Sequence, residues 1–282
     1  MGGLRAVRVF VGVESGVLFP EFSGKIVKTL VYAVVGQLRL FRGLRGVLAP
    51  VHVSPLFRPG RGRLELGELV TARVERDGSG GWRLVPVEVG GEYVFHVGGD
   101  GGFVSLVGDA LERFRGRELV VKIGEALVSY RVELVEDVTS SIVEKGFSGD
   151  RVTLYLKGPC KLFNIFTPSR LPKFNVSAPE VLMTPYMMLT GQHTMTSKVL
   201  LEAGRLLGKL VETYYSLTTV RYVQVPLGQG RDPGMIGKIT YIVDTRSPEE
   251  RAMLEKVLAA AEIAGIGESR ANGFGTVVWA PK

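Results

Sequence analysis

Apolar residues recur along this 282-residue chain with two alternating periods, and the changes of period mark out the elements. Residues 4–13 (Leu-Arg-Ala-Val-Arg-Val-Phe-Val-Gly-Val) are rich in β-branched side chains and predict a strand. From Phe22 to Arg42 the spacing becomes helical: Ile26, Val27, Leu30, Val31, Val34, Leu38 and Phe41 fall on one side, with Ser23 as the cap. Residues 47–54 read as a strand between Gly46 and Pro55. Leu69–Arg76 and Trp82–Val89 alternate around Asp77-Gly-Ser-Gly-Gly81, a hairpin signal. A strand at Tyr93–Val97, a helix at Phe103–Arg115 and one or two strands over Leu119–Val135 follow.

Residues 137–150 are polar and contain glycine, which suggests a boundary, and the pattern then restarts. Arg151–Lys157 alternate as a strand. Residues 158–178 read as irregular, broken by Pro159, Pro168 and Pro172, and helical periodicity returns over Ser197–Tyr215. Arg221–Val225 and Gly237–Asp244 predict a hairpin joined by a long loop, Gly228–Gly237. Ser247-Pro-Glu-Glu-Arg is a capping signature for a helix to about Ala264, and Thr276–Trp279 read as a last strand. Each half therefore runs strand–helix–strand–strand–helix–strand. That order predicts an α+β chain of two tandem ferredoxin-like (RRM-like) domains, residues 1–140 with an inserted hairpin and residues 150–282.

Composition narrows the function classes. The apolar fraction of 45% supports a full core, and the net charge of +7 favours a polyanionic partner such as nucleic acid. The lone cysteine, Cys160, forms no internal disulfide, and it reads as a small buried hydrophobe. His52, His96 and His193 lie far apart without metal-ligand spacing, so the sequence calls for neither metal nor cofactor. The apolar part of residues 26–35, roughly ten residues, is too short to span a bilayer core of ~30 Å, so the expectation is a cytoplasmic protein without a membrane partner.

The densest local signal lies near the C-terminus. Gly265, Gly267, Gly273 and Gly275 crowd a segment that also carries Arg270 and Asn272, between a helix end and the last strand. Glycine serves where φ is positive or another backbone comes close. One reading is a phosphate cradle of free N–H groups with Arg270 as a charged fork; the other is a helix cap followed by a turn. The dinucleotide fingerprint is excluded, because that loop follows a strand and opens a helix.

Helix, then Gly-Ile-Gly-x-x-Arg-x-x-Gly-Phe-Gly, then a valine-rich strand resembles the signature of the RAMP superfamily, in the form seen in the CRISPR repeat-processing endoribonuclease family. Ser23–Tyr32, Val51–Phe57 and Leu156–Phe163 resemble, more loosely, that family's first helix, second strand and opening strand of the second domain. The resemblance implies precursor CRISPR repeat RNA as substrate, processed guide RNA as product, and metal-independent attack of a ribose 2′-hydroxyl. A 2′,3′-cyclic phosphate and a 5′-hydroxyl result. Association with an effector complex and formation of a homodimer are left open.

That reaction needs a proton acceptor, a proton donor and cations for the phosphorane. Lys25, Lys28, Tyr32 and Arg39 share one stripe of the first helix, either as a reactive face or as a solvated one. The family usually carries a histidine after this helix; here residues 36–50 offer Arg39, Arg42 and Arg45 instead. His52 is the nearest histidine. By strand alternation it points opposite to Val51 and Val53, either into the site or into packing under the helix. Lys28, Tyr32, His52 and Arg231 are thus the catalytic candidates. Lys25, Arg39, Arg42, Arg45 and the segment Gly265, Gly267, Arg270, Asn272, Gly273, Gly275 are the RNA-binding ones. The missing histidine also admits a non-catalytic subunit that holds guide RNA, and a third reading is an unrelated duplicated protein that binds a small anion.

Overall fold

In the computed structural model the strand predicted at the start of the chain is the centre of the first sheet. The structure describes residues 3–18, 22–35, 51–62, 65–69, 72–76, 78, 80, 82–86, 88–123, 126–147, 149–165, 174–227 and 230–281. Strand β1 (Leu4–Leu18) lies between β7 (Glu88–Asp100) and β9 (Ala126–Asp137), antiparallel to both. Strands β2 (Val51–Val53), β3 (Phe57–Pro59) and β4 (Leu66–Leu69) build the β7 edge, and β8 (Glu118–Ile123) forms the other edge. Val7, Val9, Val11 and Val13 point to one side by the two-residue period of the strand. There they meet Ile26, Leu30 and Val34 of helix α1 (Ser23–Val35) and Val104, Val107 and Leu111 of helix α2 (Gly101–Arg113).

After helix α3 (Thr139–Val143) the same plan repeats. The second sheet runs β14 (Val277–Pro281), β10 (Arg151–Cys160), β13 (Gly230–Val243), β12 (Val220–Leu227), with β11 (Leu210–Glu212) also on β13. Leu154, Leu156, Ile239 and Tyr241 face helices α4 (Ala178–Leu189), α5 (Ser197–Leu207) and α7 (Pro248–Ala264), while the short α6 (Tyr214–Thr219) bridges β11 and β12. Both halves are ferredoxin-like, and the tandem α+β arrangement is the fold of this chain. Among the described residues no helix is long and apolar enough to cross a membrane.

Several elements depart from the sequence reading. The described part of the first helix ends at Val35, so its expected continuation to Arg42 lies outside the described residues. The Ser23 hydroxyl is buried and accepts the Leu56 N–H rather than capping the helix. The inserted hairpin forms as β5 (Ala72–Arg76) and β6 (Trp82–Pro86), but β6 joins β12 in parallel at Gln224↔Arg83. A hairpin from the first half thus extends the second sheet, covering an edge whose backbone groups would otherwise face solvent. Residues 220–243 form a nearly continuous hairpin, so most of the expected Gly228–Gly237 loop is strand. Helix α4 lies almost wholly between the irregular stretch 158–178 and the helix expected from Ser197, where the sequence reading assigns no element; nine of its residues, Pro185 among them, are buried, and a helix packed all round shows no amphipathic period. The expected helix over Ser197–Tyr215 stops at Leu207, with Gly208 as its C-cap, and gives way to β11 and α6.

The halves are locked together by α7, whose Ala259, Ile263 and Ala264 pack on Ala6, Val138 and Ile142. Gly98 permits this approach, since a Cβ there would stand 1.9 Å from the Ile263 carbonyl oxygen. One α7 residue is charged and buried. Glu262 binds Arg8 at 3.1 Å and Lys145 at 2.6 Å, and accepts the Trp279 N–H at 3.2 Å. Removing the carboxylate takes the anion from Arg8 of the first half and Lys145 of the linking segment, so Glu262→Ala is expected to destabilise the protein by about 3–5 kcal/mol, read as a lower urea midpoint.

Candidate active site

The glycine-rich segment folds tightly, and its geometry answers the question of what the glycines do. Gly265, Gly267, Gly273 and Gly275 all have positive φ, between 67° and 92°. Each is also a point of close approach. A Cβ on Gly265 would meet His52 Nδ1 at 2.6 Å, on Gly267 the Lys161 carbonyl oxygen at 2.2 Å, on Gly273 the Gly24 Cα at 2.5 Å, and on Gly275 the Ile266 carbonyl oxygen at 2.0 Å. Six of the segment's backbone donors are engaged inside the protein. Gly265 N–H bonds to Ala261, Ile266 to Gly275, Glu268 to Lys161, Asn272 to Ser269, Gly273 to Arg270 and Gly275 to Pro159. In this geometry the four glycines serve close backbone packing, and the six engaged N–H groups offer no phosphate cradle.

The Arg270 side chain is enclosed as well. It is 2% exposed and donates to the Ala264 carbonyl oxygen at 2.7 Å, at the C-terminal end of α7. There the partial negative charge of the helix end receives a cation. Burial lowers its guanidinium to about 10, still charged at neutral pH.

His52 points away from Val51 and Val53, as alternation requires, but it lands in the seam between the halves. It is fully buried, and its Nε2 lies 3.1 Å from the Thr276 hydroxyl. Desolvation, then the neighbouring His96 and Arg270, hold its pKa well below the usual value. The ring as enclosed here faces no solvent, so its geometry lends no support to the catalytic expectation for His52. His96 is buried beside it, with ring centroids 5.6 Å apart, and its Nε2 meets the Ile263 carbonyl oxygen at 2.8 Å. Cys160 is buried and its thiol is pushed up by desolvation, as expected of a packing residue.

What the fold does bring together is Lys25, Lys28, Tyr32 and Asn272. All four are half-buried. Lys28 Nζ donates to Asn272 Oδ1 at 2.7 Å and lies 5.5 Å from the centre of the Tyr32 ring. Burial, then the charge of Lys25, lowers the Lys28 pKa; burial raises that of Tyr32 to about 12, keeping a neutral phenol. Arg231 is exposed at the start of β13, opposite Pro226, whose carbonyl oxygen accepts the Phe22 N–H at 3.1 Å just before α1. Arg39, Arg42 and Arg45 lie outside the described residues. Sequence reasoning missed Gly24, the partner surface for Gly273, and Glu262; a single carboxylate in the run Leu-Ala-Ala-Ala-Glu-Ile-Ala was the available signal for the latter.

Comparison with known proteins agrees with this architecture. The family model for CRISPR-associated endoribonuclease Cas6 matches residues 164–277. No curated protein matches the chain in sequence. Thermus thermophilus Cas6 is similar in structure, with a TM-score of 0.60 at 16% identity, over 99% of this chain and 100% of that one. A Cas6 product complex gives a TM-score of 0.61 at 15% identity, covering 99% of each chain. A Cas6-related protein from Pyrococcus furiosus gives 0.52 at 11% identity, again over 99% of each.

The buried histidines carry a pH dependence. Desolvation, then Arg8, lowers His96 to about 4 from its ordinary 6.5, against a smaller opposing pull from its bond to Ile263. A histidine whose folded pKa is depressed stabilises fully above its unfolded value and loses that contribution as pH falls toward the folded one. Stability is therefore expected to decline from pH 6.5 toward 4. His96 alone accounts for on the order of 3 kcal/mol of the loss. A melting temperature flat between pH 8 and 7 and falling by about pH 5.5, before most carboxylates titrate, is the expected result.

Proposed function

We propose that this chain is a Cas6-type endoribonuclease that binds precursor CRISPR repeat RNA and cuts it by metal-independent attack of a ribose 2′-hydroxyl. The observation that carries the reading is the whole-length likeness to Cas6 structures combined with the Lys25–Lys28–Tyr32–Asn272 cluster at the seam between the halves. The net charge of +7 suits the substrate.

In this reading the 2′-oxygen attacks the adjacent phosphorus, the bond to the 5′-oxygen breaks, and a 2′,3′-cyclic phosphate forms. Lys28 gives a proton to the departing 5′-oxygen, a task suited to an ammonium whose pKa is drawn below its ordinary value. Lys25 and Arg231 bear on the phosphorane charge, and the neutral Tyr32 phenol donates to a phosphate oxygen. With His52 enclosed, the proton of the 2′-hydroxyl passes to solvent, and the chain contributes by holding that hydroxyl in line. Catalysis of this kind, without a strong base, is slow.

The enclosure of both His52 and His96 also supports a second reading, an RNA-holding subunit without cleavage. Labelled repeat RNA in EDTA separates the two. Cutting that persists in EDTA, is abolished by a 2′-deoxy at the scissile position and falls about 100-fold or more in Lys28→Ala supports the enzyme. Tight binding without a cut product supports the holder, and failure to bind repeat RNA rejects both.

A further inference from the structure

The contact between Lys28 and Asn272 joins the two halves of the molecule, and its setting is more constrained than a surface hydrogen bond requires. Lys28 stands on α1 of the first half, and Asn272 ends a single 3₁₀ turn, Arg270–Asn272, inside the glycine segment of the second. Ser269, which precedes that turn, has φ of 57° and is the one described non-glycine residue with positive φ. Gly273, which follows it, has φ of 92°. Beneath the turn, Arg270 anchors to the end of α7 through the Ala264 carbonyl oxygen.

The turn is also pressed against α1 at one point. A Cβ on Gly24 would lie 2.3 Å from the Asn272 carbonyl oxygen and 2.5 Å from Gly273 Cα. Gly24 and Lys28 are four residues apart, on one face of the helix and one turn from each other. Successive turns of α1 are thus pinned by the same residue: its backbone against Gly24, its side chain on Lys28. Lysine only donates, so the amide atom facing it must be the carbonyl oxygen. With Asn272 on one side and the Tyr32 ring at 5.5 Å, the ammonium keeps donors for a phosphate while its position is set.

We propose that Asn272 is a positioning residue: its side-chain oxygen, delivered from the second half by the glycine-bounded turn, fixes the Lys28 ammonium of the first half where the scissile phosphate lies. This rests on the reading above, that Lys28 acts on that phosphate. Active-site assembly then depends on docking of the two halves. A flexible lysine is a poor catalyst until its head group is held, because stabilisation of a transition state relies on donors placed beforehand.

The test is a single-turnover pH–rate profile on repeat RNA for the full-length protein and for Asn272→Ala, Asn272→Asp and Lys28→Ala, with RNA affinity and melting temperature measured on each. Asn272→Ala removes the acceptor. The maximal rate is expected to fall about 10-fold, RNA affinity to change much less, and the alkaline limb to move to lower pH. Asn272→Asp keeps the shape and gives the ammonium a carboxylate partner, so its limb is expected to move to higher pH. A purely structural asparagine lowers the rate at every pH and leaves both limbs in place. If both limbs stay in place while Lys28→Ala is inactive, the positioning role is overturned and the cleavage reading stands. If Lys28→Ala keeps the full rate, the reading of Lys28 fails, and the positioning role with it. Should Asn272→Ala fail to fold, the near-isosteric Asn272→Asp alone decides by the direction of its limb.

Discussion

The molecule depends on one close backbone contact, that between Gly24 at the start of α1 and Gly273 in the C-terminal segment. Neither position has room for a Cβ. Because no side chain intervenes, α1 sits directly on the turn that carries Asn272, and the hydrogen bond to Lys28 follows from that distance. Phe22 and Phe274 flank the contact with ring centroids 5.5 Å apart, and with Val223 and Val225 they form a small apolar cluster of their own. The glycine segment therefore acts on the site by holding a helix of the other half, rather than by offering its own amides.

The same principle governs the polar groups enclosed between the halves. His52 and His96 are neutral rings among cations: Arg8 and Arg270 both disfavour protonation there. Glu262 is the complementary anion, and its ligands come from the first half, from the linking segment and from the last strand. Buried charges of this kind are costly when alone and tolerable when fully paired. They make the docked geometry specific, because a small shift of α7 leaves Glu262 or the Ile263 carbonyl without its partner. Near this seam Lys25 and Lys28 are half-buried and Arg231 is exposed.

Much of the architecture was legible along the chain because it is local. The alternation in β1, the helical period of α1 and the Ser247 cap on α7, whose hydroxyl accepts the Glu250 N–H at 3.2 Å, need only neighbouring residues. The order of elements gave the duplicated fold. Helix α4 escaped notice because burial on all sides erases its period, and the β5–β6 hairpin was assigned to the first half because nothing in its sequence names the edge it joins.

For the site, residue order alone offers the chemistry: a basic chain, a Lys25–Lys28–Tyr32 stripe on one helix, and a glycine segment with Asn272 and Arg270. These follow from residue type and from spacing along a single element. Which of these side chains meet, and which are sealed away, follows from how the halves pack. Packing of the two halves encloses His52 and Arg270, whereas the half-buried Lys28 and Asn272, 244 residues apart, come within 2.7 Å. The reason is physical: exposure and contact across a domain seam depend on how two surfaces fit, and at this seam the fit is set by the absence of a side chain at Gly24 and Gly273.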